Sequence, residues 1–201
     1  MSTPTNVPVN NPSSNQISFP SSMGNPRITV ATAWLDGCSG CHMSFLDMDE
    51  RLIELASHID IVHGPLVDTK ELPAQVDLGI LEGSVSNDHD LATAKAFRKH
   101  CKQLISLGDC AVNGNVPAMR NAFKLDAVIE RAYRENVDLN PQIPVDGVPR
   151  LREVVLPLHG VVEVDLFVPG CPPPADAIYY VLSELIAGRT PDPNQLTRFG
   201  A

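Results

Sequence analysis

With 201 residues, 43% of them apolar, the chain has room for one domain with a sizeable core and short tails. Acidic side chains outnumber basic ones by 24 to 15, a net charge of −9, and no Lys/Arg-rich block is present; the electrostatic footprint of a nucleic-acid binder is missing. No apolar run approaches the roughly 20 residues that a membrane-crossing helix needs, so no membrane span is expected.

Residues 1–25 are rich in Ser, Asn, Pro and Thr and carry no charged side chain. They lack the basic and apolar regions of a secretory signal and any twin-arginine pair, and read as a disordered tail ahead of one domain over 26–190. Five cysteines, an odd number, argue against a disulfide framework and for the cytoplasm.

The domain opens with a strand from Arg27 to Trp34, cut off by the turn signal Asp36-Gly37. After Cys38-Ser-Gly-Cys41 an amphipathic helix is expected. Ser44 and Asp47 have capping-box spacing, and Phe45, Met48, Leu52, Leu55 and Ala56 share a face. A second strand covers Ile59 to His63 and a third Val76 to Leu81, running into Glu82-Gly83. Asn87 or Asp88 caps the next helix, on which Leu91, Ala94, Phe97 and Cys101 align. Gln103 to Leu107 is the fourth strand, and Leu125 to Tyr133 marks a third helix. Breakers fill 136–149, and Leu151 to Val155 reads as either a short strand or a helix. Val164 to Val168 is the fifth strand, Ala175 to Ile186 the final helix, and 191–201 an extended tail.

Strands alternating with helices predict a mostly parallel sheet in a single α/β domain of flavodoxin-like doubly wound type, order 2-1-3-4-5. The first, third, fourth and fifth strands are then neighbours. Cys38 and Cys41 follow the first strand, Cys110 the fourth and Cys171 the fifth, so four thiols reach the sheet edge where open α/β folds bind ligands. The first pair also lies where free N–H groups at a helix start favour thiolates. A C-x-x-C alone fits a redox dithiol, half of a zinc site, or two ligands of an iron–sulfur cluster. A dithiol enzyme leaves Cys110 and Cys171 unexplained, and structural zinc usually takes two tight pairs. A cluster tolerates scattered single ligands that the fold gathers.

The run Trp34 to Glu50 (Trp-Leu-Asp-Gly-Cys-Ser-Gly-Cys-His-Met-Ser-Phe-Leu-Asp-Met-Asp-Glu), with Glu82-Gly83, Gly108-Asp-Cys110 and Pro169-Gly-Cys-Pro-Pro173, resembles the small subunit of [NiFe] hydrogenases, above all the cytoplasmic, bidirectional, NAD-reducing type. The resemblance spans Arg27 to the last helix. It implies that Cys38, Cys41, Cys110 and Cys171 hold one proximal [4Fe–4S] cluster, facing a NiFe(CN)2(CO) centre in a separate large subunit. Electrons would pass between that centre and diaphorase subunits carrying FMN and NAD, completing H2 + NAD+ = NADH + H+. Some members are said to hold a flavin near the small subunit; no feature here requires one. Only Cys171 follows Cys110, so the extra cysteine-rich domain of longer members is not expected. The related complex I subunit uses adjacent cysteines, against the spaced pair here. A complex I-like quinone reductase subunit and a zinc-stabilised scaffold module remain the alternative readings.

Around the ligands, Gly37, Gly40, Gly108 and Gly170 allow backbone to approach a cluster. Pro172 to Pro174 stiffen the last loop. Glu82, at the end of the third strand, is read either as a loop or capping carboxylate or as a group near the cluster or in proton passage. His42 is read as a donor to a cluster sulfur or as an exposed, partner-facing side chain. Asp109 and Asn113 shape their loop, Cys101 is a packed small hydrophobe on its helix, and His159 is an interface candidate. A large, mostly apolar partner interface is expected over the strand-end loops and first helix.

Overall fold

The β-branched side chains between residues 28 and 34 form the first strand of the computed structural model, which describes residues 27–199. In chain order the strands are β1 (Ile28–Trp34), β2 (Ile59–His63), β3 (Val76–Glu82), β4 (Val85–Asn87), β5 (Cys101–Leu107), β6 (Leu151–Leu156) and β7 (Leu166–Val168). The α-helices are α1 (Gly40–Leu46), α2 (Arg51–Leu55), α3 (Asp88–His100), α4 (Asp109–Asn113), α5 (Leu125–Glu130) and α6 (Ala175–Ile186). The expectation for the N-terminal tail lies outside the described residues.

Five strands pair in the order β2-β1-β3-β5-β7, all parallel. Counting these five alone, this is the doubly wound order expected. Register matters most for function. Trp34 pairs with Glu82, Glu82 with Leu107 and Leu107 with Val168, so four strands end level and their following loops emerge on one edge. β3 is central and buried along nearly its whole length, as a strand covered on both faces must be. One face packs Ile80, Ile105, Leu107 and Val168 against Phe45, Met48, Leu55, Ile178 and Leu182 from α1, α2, α6 and the turn between α1 and α2. The other packs Leu81 and Leu104 against Ala94 and Phe97 of α3 and against Leu158.

Several local expectations are corrected. The first helix is interrupted: α1 ends at Leu46, Asp49 adopts φ 50°, and α2 starts at Arg51. Asp is a weak helix former that tolerates the left-handed region, which lets the chain turn while Phe45, Met48 and Leu55 still reach the core. Ser44 is not a cap but an interior residue of α1, whose hydroxyl donates to the Pro173 carbonyl at 2.5 Å. Ala56 is exposed rather than core-facing. Cys101 is the first residue of β5, not a helical one; it is buried against Gly79, where a β-carbon would come within 2.7 Å of its sulfur. Being paired with Val76, it lies at the end of the sheet opposite the other thiols. The third helix runs α-helical only to Glu130, then loosens into a π-turn, Arg131–Glu135, leaving Ala132 and Tyr133 exposed.

The ambiguous segment at 151 is strand β6, which pairs antiparallel with β4 in a small second sheet. β7 is shorter than expected, three residues from Leu166, because Asp165 turns its carboxylate to the Leu104 N–H at 2.7 Å and to Arg98. The cap of α3 is as read: Asn87 Oδ1 accepts from the Asp90 N–H and the Asp90 carboxylate accepts from the Asn87 N–H. The segment after α6 makes a 3-10 turn at Pro193–Gln195 and returns to the site edge, where the Thr197 hydroxyl donates to the Pro169 carbonyl.

Candidate functional site

Cys38 and Cys41 leave the end of β1, with Cys41 in the first turn of α1; Cys110 lies in α4 directly after β5, and Cys171 after β7. All four line one shallow recess at the strand-end edge, together with Gly37, Gly40, Glu82, Asp109 and Gly170. Cys38 and Cys171 are exposed, Cys41 and Cys110 half-buried, and none is in a disulfide.

Backbone bonds fix the loops to one another. The Cys38 loop is tied to the end of β3: the Leu35 N–H donates to the Glu82 carbonyl at 2.8 Å, and Asp36 and Ser84 exchange N–H donations at 3.0 and 2.8 Å. The Cys110 and Cys171 loops are stitched by Asp109, whose N–H donates to the Gly170 carbonyl at 2.9 Å while its carboxylate accepts from the Gly170 N–H at 2.7 Å. Asp109 is buried, and its loop-shaping role is the one expected. Asn113 likewise shapes its turn, accepting from the Asn115 N–H at 2.8 Å.

Gly108 shows how closely the thiols are held. Its φ is +81°, and a β-carbon there would overlap Cys41 Sγ. At Gly40 a β-carbon would stand 3.2 Å from Cys38 Sγ, and at Gly37 it would stand 3.3 Å from the Gly83 backbone. Gly170 has φ +134° and passes against the Pro173 backbone. Of the glycines picked from the sequence, Gly37, Gly40 and Gly170 line the recess and Gly108 packs against Cys41, each where a side chain would collide or crowd.

Burial, and then the Glu82 carboxylate, pushes the Cys41 thiol far above its ordinary range; the neighbouring Cys110 and Cys38 add to the shift. Cys110 is raised by burial and then by Cys171 and Cys38. Thiols that mutually oppose ionisation need a cation to become thiolates together, a charge that bound metal would supply. Four convergent thiols in a recess bordered by glycine fit an iron–sulfur cluster. Among the described residues no three His, Cys, Asp or Glu side chains stand close enough together to hold a single metal ion.

His42 is placed differently from either expectation. It is buried, its Nδ1 lies 2.9 Å from Glu82 Oε1, and neither ring nitrogen hydrogen-bonds a sulfur. Glu82 is buried at the end of β3; it accepts from the His42 N–H at 3.1 Å and helps to raise the Cys41 thiol, so it is both a capping carboxylate and a neighbour of Cys41. His159 is exposed and meets Phe167 edge-on. A contributor that the sequence alone did not single out is Asn115, whose amide donates to Cys171 Sγ at 3.5 Å. Its signal was present in Asn113-Gly114-Asn115, a turn with amide side chains beside a cysteine loop.

The profile of the family described as NADH ubiquinone oxidoreductase, 20 Kd subunit, matches residues 38–185. The NAD-reducing hydrogenase HoxS subunit delta of Cupriavidus necator is 43% identical over 179 residues, 86% of either chain. A subunit of the F420-non-reducing hydrogenase of Methanothermobacter marburgensis is 40% identical over 81% of this chain, which spans 54% of that longer protein. A chain of the crystal structure of NAD+-reducing [NiFe]-hydrogenase in the H2-reduced state superposes with TM-score 0.83 at 38% identity, covering 87% of this chain and 99% of that one. A chain of the [NiFeSe]-hydrogenase of Dm. baculatum, at 16% identity and TM-score 0.53, shares the fold.

Proposed function

The chain belongs to the family of the NADH ubiquinone oxidoreductase 20 Kd subunit and, within it, is a small subunit of a hydrogenase of the NAD-reducing or a related type; from that premise we propose that it relays electrons through one [4Fe–4S] cluster held by Cys38, Cys41, Cys110 and Cys171. The observation that carries the reading is the gathering of these four thiols, from three strand-end loops, around a recess bordered by glycines.

The bound cluster would supply one-electron transfer. The residues of this chain supply the rest. Four thiolates anchor the iron, and the Asp109–Gly170 bonds hold two of the ligand loops at fixed separation. Asn115 and the Gly40 N–H, 3.4 Å from Cys38 Sγ, donate toward sulfur, which favours the more negative, reduced state. Ser44 ties α1 to the Cys171 loop. Such bracing limits movement when the charge changes.

In this reading the electron donor or acceptor on one side is the NiFe(CN)2(CO) centre of a large subunit, and on the other a diaphorase with FMN and NAD. NAD binding is assigned to the partner because no Gly-x-Gly-x-x-Gly follows any strand of this chain. No flavin is assigned to this chain. Among the described residues no helix is long and apolar enough to cross a membrane. We assign the cytoplasm, where unpaired thiols stay reduced. The complex I-like alternative is disfavoured by the spaced cysteine pair and by the hydrogenase relatives.

Anaerobic purification of the complex, with iron, sulfide, nickel and EPR measurements, tests the reading. The expected result is a reduced cubane signal in the wild type, lost or altered in Cys110→Ser, with nickel in the co-purifying large subunit. A signal unchanged in Cys110→Ser would remove the ligand assignment. A colourless protein with zinc would favour the scaffold, and a large subunit without nickel the quinone reductase.

A further inference from the structure

His42 and Glu82 are 40 residues apart in the chain yet form one buried unit, 5% and 2% exposed. The histidine addresses both oxygens of the carboxylate: Nδ1 lies 2.9 Å from Oε1, and the backbone N–H donates to Oε2 at 3.1 Å. The ring contact is a close approach of Nδ1 to Oε1, and the hydrogen bond of the pair is the backbone one to Oε2. Trp34 stands edge-on over the imidazole, 5.6 Å between ring centroids, and holds the ring in place. His42 also lines a cavity of about 30 Å3 with Thr32 and Gly64, room for one water. Glu82 lines the thiol recess together with Cys41, whose pKa it helps to raise.

A carboxylate this close opposes the arrival of an electron on the neighbouring sulfur ligands, and in a buried site the opposition is weakly screened. The backbone donor on Oε2 and the imidazole packed against Oε1 reduce it by offsetting part of the charge and by fixing where the rest lies. We propose that His42 is a positioning residue, which, by its contacts with both oxygens of Glu82, screens that carboxylate from the four thiol ligands and raises the potential at which the site they form accepts an electron. The inference rests on the cluster reading above. Reduction adds one electron and breaks no bond in this chain.

The experiment is an anaerobic redox titration of the intact complex, read by the EPR signal of the reduced site and accompanied by iron and sulfide analysis. In His42→Leu the reduced-to-oxidised ratio at the wild-type midpoint should fall about tenfold, close to 59 mV for a one-electron couple. His42→Asn, whose amide nitrogen reaches the Nδ1 position, should restore most of it. Glu82→Gln should raise the midpoint and abolish the effect of His42→Leu, because the histidine acts through the carboxylate. A midpoint unmoved in His42→Leu, or moved equally with and without Glu82→Gln, would overturn the assignment. Should His42→Leu fail to fold, His42→Gln, which places its amide at the Nε2 position, takes its place with the same expected shift. A wild-type chain without iron and sulfide would instead defeat the cluster reading and this inference with it; iron present with an unmoved midpoint defeats this inference alone.

Discussion

A β-carbon on Gly108 would collide with Cys41 Sγ, and the glycine's φ of +81° and ψ of 160° belong to a backbone region that other residues avoid at a cost of about 1–3 kcal/mol. Gly108→Ala should therefore displace a ligand as well as strain the turn. The expected outcome is loss of most of the bound iron from anaerobically purified protein; full iron content would show that Cys41 moves aside freely. Ser39, just before α1, has φ 63° without being glycine. Ser39→Gly should relieve that strain and raise stability by about 0.5–1 kcal/mol in urea denaturation, with the iron content unchanged.

Each element is held by bonds that sequence distance hides. Asp77 on β3 accepts from the Thr29 N–H and hydroxyl on β1, at 2.9 and 2.8 Å, and from Lys102 on β5 at 2.7 Å. The Lys102 bond first, then the Thr29 N–H, lowers its pKa from 3.8 to about 2. Because the folded value is depressed, the stabilisation is complete above the unfolded value and is lost as pH falls through about 2. Asp77→Asn should cost about 1 kcal/mol at neutral pH, modest because the pair is partly solvated, and the gap to wild type should close between pH 4 and pH 2. At α3 the capping box joins Asn87 to Asp90, and Asp90 is itself buried against Ser86. Asn87→Ala should cost about 1 kcal/mol, read from urea midpoints.

At the level of the whole molecule, the edge that carries the thiols also carries exposed apolar side chains. Met43 and Leu46 on α1 are 58% and 38% exposed, and Trp34 is half exposed at the end of β1. Two of the four thiols are open to solvent there. A partner seated on this edge would cover both, excluding water from the sulfurs, and the large subunit proposed above fits that position. Met43→Asp should weaken co-purification of the nickel-containing subunit about tenfold or more while leaving the circular dichroism of this chain unchanged. Undiminished co-purification would place the interface elsewhere.

Local pattern was enough to read the alternation of strands and helices, the order of the parallel sheet and the three junctions that bear Cys38, Cys41, Cys110 and Cys171. Each depends on periodicity and turn chemistry within a few residues, and the twofold winding of such a sheet then dictates which strand ends are neighbours. Packing decided the remainder. The break at Asp49, the pairing of β4 with the distant β6 (Val85 with Leu156, Asn87 with Leu151), and the assignment of Cys101 to a strand all follow from which surface each segment meets. So does the burial of His42 against Glu82: a histidine beside a cysteine motif looks the same in sequence whether it faces solvent, sulfur or a carboxylate. Those partners approach through space, and free energy gained by long-range burial outweighs local preference wherever the two disagree.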